Sequence, residues 1–181
     1  MSEITVAYRY AKSLIDLAEE RNALEAVKQD MSFFVQTLKA NTQLQAVLRN
    51  PIISHDKKVK ILEAIFVGKV SADSLAFFKI MVSKSRAGIL YPTAVEFINQ
   101  YNIIKHIVNA KVVSAAPLSE ANKQQIIADV KSIAGDDVIL QTSVDPELIG
   151  GFILTVGDRQ IDTSVSSSLK RLKKDFTAEA V

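Results

Sequence analysis

Few side chains in this chain are of a type and spacing that could do chemistry. Two histidines, His55 and His106, are the only ones in 181 residues, and cysteine and tryptophan are absent. Without thiols there are no disulfides, no thiol nucleophile and no cysteine-ligated zinc or iron–sulfur site. Two histidines do not make a histidine-rich metal site. His55 stands among Ser54, Asp56 and Lys57 at a helix start and reads as solvent-facing. His106 follows Lys105 near a helix end, where a cation complements the helix dipole. Asp136-Asp137, next to Gly135, reads as a turn rather than a metal pair. Asp145, Asp158 and Asp162 each fit a turn or a helix cap. Gly150-Gly151 is the one candidate phosphate cradle, but a strand pattern follows it, with no Lys-Ser or Lys-Thr pair. Glycine weakens a strand by ~0.5–1 kcal/mol relative to alanine, so this pair points to a bulge or to another backbone packing close by. No catalytic constellation, cofactor site or metal site emerges.

The elements that would position these residues fall into two kinds. Residues 1–108 read as six helices. Ile4, Ala7, Tyr8, Ala11, Leu14, Ile15 and Ala18 follow helical spacing, as do Leu24, Val27, Met31, Phe34 and Leu38. A short third helix around Leu44, Val47 and Leu48 must stop before Pro51. Ser54 is placed to cap the fourth, with Val59, Leu62, Ile65 and Phe66 buried and Gly68 ending it. Ser71 is placed to cap a fifth over about Ala72 to Lys84, and Ser85 to Gly88 is a break. Pro92 suits the first turn of a sixth helix carrying Val95, Ile98, Tyr101, Ile104 and Val108. Together these predict an all-helical bundle.

From Asn109 the periodicity changes. Lys111 to Ala116 reads as a strand. Ser119 caps a helix with Ile126, Ile127, Val130 and Ile133 on one face, ended by Gly135. Val138, Leu140, Thr142 and Val144 alternate as a strand does. Asp145-Pro146 opens a turn, and Phe152 to Val156 is an apolar strand. Gly157-Asp158 turns the chain into a return strand, Arg159 to Ile161. Asp162 or Thr163 then caps a last helix bearing Val165, Leu169, Leu172 and Phe176. The expected fold is therefore a helical bundle over 1–108 and a small α+β module with a short mixed sheet over 109–181.

Charge narrows the function classes. The net charge is +2, from 22 basic and 20 acidic side chains, so there is no strong field for nucleic acid or lipid. Residues 1–108 carry a net +4 and residues 109–162 a net −4. Lys170, Arg171, Lys173 and Lys174 make the last helix basic; without aromatic platforms they read as dipole-complementing cations, with a small RNA-binding or adaptor protein as the alternative. Leu75 to Val82, the longest nearly apolar run, carries Lys79 and is far short of the ~20 residues a membrane span needs. The opening Met1-Ser2-Glu3-Ile4-Thr5 has no basic region leading into an apolar stretch. A chain that stays in a bacterial cytoplasm, without inserting into a membrane, is the expectation.

Apolar helix surface is the most informative feature. In the first helix Thr5, Arg9, Lys12, Asp16 and Glu19 form one narrow polar stripe, and nearly everything else is apolar. The fifth helix has only Lys79 between Leu75 and Val82. A helix that is apolar nearly all round must be covered on more than one side. Either both are central helices of the bundle, or a groove between them accepts an amphipathic helix from a partner. The groove would use Ala7, Tyr10, Ala11, Leu14 and Ala18 on the first helix and Phe78, Met81 and Val82 on the fifth.

The run from Asp145 to Val165, Asp-Pro-Glu-Leu-Ile-Gly-Gly-Phe-Ile-Leu-Thr-Val-Gly-Asp-Arg-Gln-Ile-Asp-Thr-Ser-Val, resembles the signature of the ATP synthase delta subunit family, whose mitochondrial member is the oligomycin-sensitivity-conferring protein. Gly150, Gly151, Gly157, Asp158, Asp162, Ser164, Leu169 and Leu172 match its pattern one by one, and Tyr10-Ala11 resembles its N-terminal motif. The sequence departs from the pattern at Ser166-Ser167-Ser168 and in the spacing of Lys84 to Gly88. The resemblance implies a non-catalytic stator subunit of the proton-translocating F-type ATP synthase, at the cytoplasmic face of the bacterial plasma membrane. It also implies that the helical bundle binds the N-terminal segments of the alpha subunits through the first and fifth helices. The C-terminal module would bind the b subunits of the peripheral stalk.

Overall fold

The structure, a computed structural model, describes residues 2–134 and 137–179. The chain divides into two compact units, 1–102 and 103–181. The first holds helices α1 (Glu3–Glu20), α2 (Leu24–Ala40), α3 (Thr42–Arg49), α4 (His55–Phe66), α5 (Ala72–Ser83) and most of α6 (Leu90–Ile104). The chain leaves α3 just ahead of Pro51. It leaves α4 through Gly68, which takes a left-handed φ of +78° that a side chain would resist. Gly88 lies in a single 3-10 turn, Ala87–Ile89, that runs into α6. Pro92 falls in the first turn of α6, where its missing N–H breaks no helical bond.

Aromatic side chains form the centre of the bundle. Phe34 of α2 stacks on Phe78 of α5 at 4.5 Å, and Phe66 of α4 lies 5.2 Å from Phe34 and 5.9 Å from Phe78. All three are fully buried. Offset and edge contacts of this kind add ~0.5–1.5 kcal/mol per pair beyond the area they bury. Tyr101 of α6, also buried, donates to both Glu25 carboxylate oxygens at 2.7 and 2.8 Å. Desolvation, followed by the Glu25 hydrogen bond and charge, pushes its phenol up to about 12.

The caps are less regular than the sequence suggests. Ser71 caps α5 as expected, accepting from the Ser74 N–H. Asp30, a buried carboxylate on α2, supports that cap from a distance. Its Oδ2 accepts from the Ser71 N–H at 2.9 Å, the Ser71 hydroxyl at 2.6 Å and the Ser74 hydroxyl at 2.7 Å. Ser54 holds the N-cap position of α4 but its side chain makes no capping bond.

The second unit is a four-stranded mixed sheet with two helices. Its elements are β1 (Ile107–Ser114), α7 (Glu120–Ala134), β2 (Asp137–Val144), β3 (Phe152–Val156), β4 (Arg159–Asp162) and α8 (Val165–Glu179). The strand order is β2-β1-β3-β4. β1 and β2 are parallel, so a crossover is required, and α7 supplies it; the β1–β3 and β3–β4 pairs are antiparallel. α7 covers one face: Ile126 and Val130 pack on Ala110, Val112 and Leu154. A core this small makes the unit marginal by itself. Ser119 caps α7 through the Asn122 N–H at 3.2 Å.

Three expectations are corrected. Val108 is not the last residue of the sixth helix; α6 ends at Ile104, His106 takes a φ of +54°, and Ile107 and Val108 already pair with Asp137 and Val138. The β-branched pair joins the ladder because β2 offers it backbone partners. For the same reason the strand expected over Lys111 to Ala116 runs from Ile107 to Ser114. Finally, Ser164 caps α8, rather than Asp162 or Thr163. Its Oγ accepts from the Ser167 N–H at 3.2 Å. Gly135 and Asp136, expected to end α7 and start a turn, lie outside the described residues, and Asp137 opens β2.

Candidate functional site

In the helical unit, α1 and α5 meet along an antiparallel seam. At one end Arg21, just after α1, pairs with Asp73 in the first turn of α5. Further along, the Tyr10 ring meets Phe77 edge-on at 6.4 Å. Arg86 then closes over Tyr10, its guanidinium 5.2 Å from the ring centre and Nη1 donating to the phenol oxygen at 3.0 Å. The expected polar stripe is in place: Thr5, Arg9, Lys12, Asp16 and Glu19 are all exposed.

The residues proposed to line a groove mostly lie beneath this seam. Ala7, Ala11, Leu14, Ala18, Phe78, Met81 and Val82 are each no more than 2 % exposed. Ala11, Leu14, Ala18, Phe78, Met81 and Val82 fill the bundle interior, as central helices require. Ala7 additionally lines a shallow cleft of about 280 Å3 with Ile4, Tyr91, Pro92 and Val95, toward α6 rather than α5. Of the eight, only Tyr10 reaches the surface, and it lines a second cleft of about 240 Å3 with Val6, Ser13 and Arg86. The apolar atoms that α1 and α5 offer to solvent belong to other residues. Ile4, Tyr8 and Ile80 are at least half exposed, while Val6, Leu17, Leu75 and Phe77 are half-buried. The sequence signal for them was present: Leu17 repeats the position of Tyr10 two turns on, and Phe77 and Ile80 lie within two residues of Lys79, the one polar position between Leu75 and Val82.

Four of the C-terminal signature residues, Gly150, Gly151, Asp162 and Ser164, converge where the start of β3 meets the start of α8. Gly151 has a φ of +76°, and a Cβ there would lie 2.3 Å from the Thr163 carbonyl oxygen and 3.2 Å from the Ser164 Cα. The close backbone approach expected of the glycine pair is therefore found, with the segment entering α8 as the approaching chain. A Cβ on Gly150 would meet the Val165 side chain at 3.0 Å. Backbone bonds seal the junction: the Thr163 N–H donates to Phe152 O and the Val165 N–H to Gly150 O, both at 3.0 Å. Asp162 locks the start of α8, accepting from the Ser164 N–H at 2.9 Å and the Ser167 hydroxyl at 2.6 Å. Those bonds, the Ser167 one foremost, hold its carboxyl below the usual aspartate range. Ser164 is fully buried beneath them. Gly157 starts the two-residue β3–β4 turn at φ +55°, as a type II′ hairpin requires, beside Asp158 on the exposed tip.

Leu169 and Leu172 do not join this core. Together with Val165 and Phe176 they form one stripe of α8, and all four are between 42 and 68 % exposed. Ile149, 67 % exposed and held at φ +65°, adds to the apolar surface two residues before Gly151. For a β-branched residue that backbone conformation is an outlier. Among the described residues no three His, Asp or Glu side chains gather to hold a metal, and no helix is long and apolar enough to cross a membrane.

Each of the two compact units leaves part of an apolar helix face uncovered. The family model described as the ATP synthase delta (OSCP) subunit matches residues 6–176, and the chain belongs to that family. It is 38 % identical over 181 residues to the ATP synthase subunit delta of Cytophaga hutchinsonii, covering 100 % of this chain and 99 % of that one. To the protein of the same name from Desulforamulus reducens it is 34 % identical over 168 residues, 93 % of each chain. Among solved structures, a chain of the Toxoplasma gondii mitochondrial ATP synthase hexamer shares the fold, with a TM-score of 0.73 and 22 % identity over 94 % of this chain and 97 % of that one.

Proposed function

We propose that the protein is a non-catalytic stator subunit of a proton-translocating F-type ATP synthase, linking the catalytic head to the peripheral stalk so that rotor torque is resisted. In this reading the helical unit binds the N-terminal segments of the alpha subunits along the α1–α5 seam. The C-terminal unit binds the b subunits of the stalk, and the protein sits peripherally at the cytoplasmic face of the membrane. The observation that carries it is the stripe of Val165, Leu169, Leu172 and Phe176, exposed on an otherwise charged helix. An amphipathic helix with one face uncovered is a ready partner for another such helix. Lys170, Arg171, Lys173 and Lys174 flank the stripe, which suits a partner helix with acidic edges. Membership of the family and the length-wide match to delta subunits support the same reading.

The test is a pair of surface variants in the full chain. Leu169→Glu with Leu172→Glu should abolish capture of the stalk b subunits and leave binding to the head complex intact. Tyr10→Ala with Phe77→Ala should do the reverse. Both stalk and head binding unaffected by either pair would sink the two-ended linker.

A further inference from the structure

One corner of the helical unit gathers basic side chains without matching acids. The end of α3, the loop after it, the first turn of α4 and the segment between α5 and α6 enclose a cavity of about 640 Å3. Arg49, His55, Lys58 and Arg86 line it, against one acid, Glu3. Lys58 is the member that demands an explanation. It is only 5 % exposed, and its Nζ donates to the Leu48 carbonyl at 2.9 Å. An ammonium has three protons to place, and no carboxylate pairs with it among the described residues. A buried cation without a counter-charge is costly, and an anion in the cavity would supply one.

A second observation comes from the backbone. α4 opens at the same corner, and its N-cap residue, Ser54, gives its first-turn N–H groups no side-chain acceptor. Open helix N-termini favour anions. The wall facing this turn is tied to it: Ser85 Oγ lies 3.3 Å from His55 Nε2. Asp56 lies in the same first turn but does not line the cavity. Arg86 is partly committed, since its Nη1 serves Tyr10, which leaves Lys58 and Arg49 as the main cationic contacts. Arg49, Lys58 and Arg86 against Glu3 give the lining a net charge of +2, which matches a doubly charged oxyanion better than a single carboxylate.

We infer that this cavity is a binding site for a phosphate-type dianion, either free phosphate or the phosphate of a small organic phosphomonoester. It does not depend on which partners the chain docks. The experiment uses the full chain and two probes, inorganic phosphate and glycerol phosphate, each compared with chloride at equal ionic strength. Phosphate should raise the melting temperature and shift the amide resonances of His55 to Lys58 and Ser85, where chloride does not. Arg49→Gln, an exposed change that leaves the core untouched, should weaken binding roughly tenfold, the loss of one charge-assisted contact. Lys58→Met should abolish it. Tighter binding of glycerol phosphate than of phosphate assigns the organic ligand; equal or weaker binding assigns the free ion. Equal responses to phosphate and chloride would overturn the site, as would a phosphate response that Arg49→Gln leaves unchanged.

Discussion

Replacing Gly151 by alanine is the sharpest test of how the C-terminal unit is built. Two costs act at this position. The backbone φ of +76° is left-handed, which costs a residue with a Cβ ~1–2 kcal/mol. The new methyl would also sit 2.3 Å from the Thr163 carbonyl oxygen. That atom is backbone, and it cannot swing aside as a flexible side chain would. Relieving the contact means moving the entry to α8 by about an ångström, which puts the Thr163–Phe152 and Val165–Gly150 backbone bonds at risk. Overpacking of this kind costs ~1–3 kcal/mol, so the total is ~2–5 kcal/mol. Gly157 provides the control within the same unit. Its φ is +55°, and nothing lies within 4 Å of a Cβ placed there, so Gly157→Ala should cost only the conformational part, ~1–2 kcal/mol. The assay is hydrogen exchange of the β1 and β3 amides in the full chain. Tyrosine fluorescence reports separately on the helical unit, because Tyr8, Tyr10, Tyr91 and Tyr101 all lie there. Gly151→Ala should lower strand protection about fivefold to a hundredfold more than Gly157→Ala, with the tyrosine signal unchanged. Equal loss of protection in the two variants would refute the reasoning, since the carbonyl contact would then contribute nothing.

Ala11→Trp should destabilise the helical unit by ~1–3 kcal/mol or more in a thermal melt, because Ala11 has no exposed surface; a tryptophan variant with an unchanged melt would place this position outside the core. Asp30→Ala should cost ~2–3 kcal/mol, read by urea titration, since two serine hydroxyls and a backbone N–H lose a charged acceptor. Asp162 has a lowered pKa, so the unfolded chain binds more protons. Its contribution to the C-terminal unit should therefore be full above the ordinary aspartate pKa and vanish as pH falls through the depressed value. The difference in β3 protection between the native chain and Asp162→Asn should close in that acid range. Tyr101 has the opposite sign: its folded pKa is raised to about 12, so its share of helical-unit stability should fall as pH climbs from about 10 toward that value. Tyr101→Phe should flatten this alkaline loss.

Much of the fold was legible because it rests on local rules. Helical spacing, Pro51 and Pro92, and the Gly157-Asp158 turn marked elements that the structure contains. Errors arose where a distant segment decides. Ile107 and Val108 fit a helical pattern until β2 offers them a ladder. Ser164, not the expected Asp162 or Thr163, becomes the cap of α8, with Asp162 reaching forward to its N–H, a choice that composition cannot make. At the seam, the sequence shows two helices that are apolar nearly all round but not which residues the bundle itself takes. Six helices need a filled centre, and the alanines and Phe78 went there, leaving Tyr10, Phe77 and Ile80 nearer the outside. The basic cavity was invisible because Arg49, Lys58 and Arg86 come from three separate elements.

The reach of Asp30 bears on the order in which the helical unit forms. Its three bonds join residues 41 and 44 positions apart, so the N-terminus of α5 gains its strongest acceptor only after α2 has docked. A 12-residue helix is short enough to be unstable alone in water. α5 should therefore gain helix late and together with its neighbours, since closing a loop of that length must come before the contact stabilises anything. One carboxylate thus links the folding of two helices, and the surface α5 presents at the seam exists only once the bundle is complete.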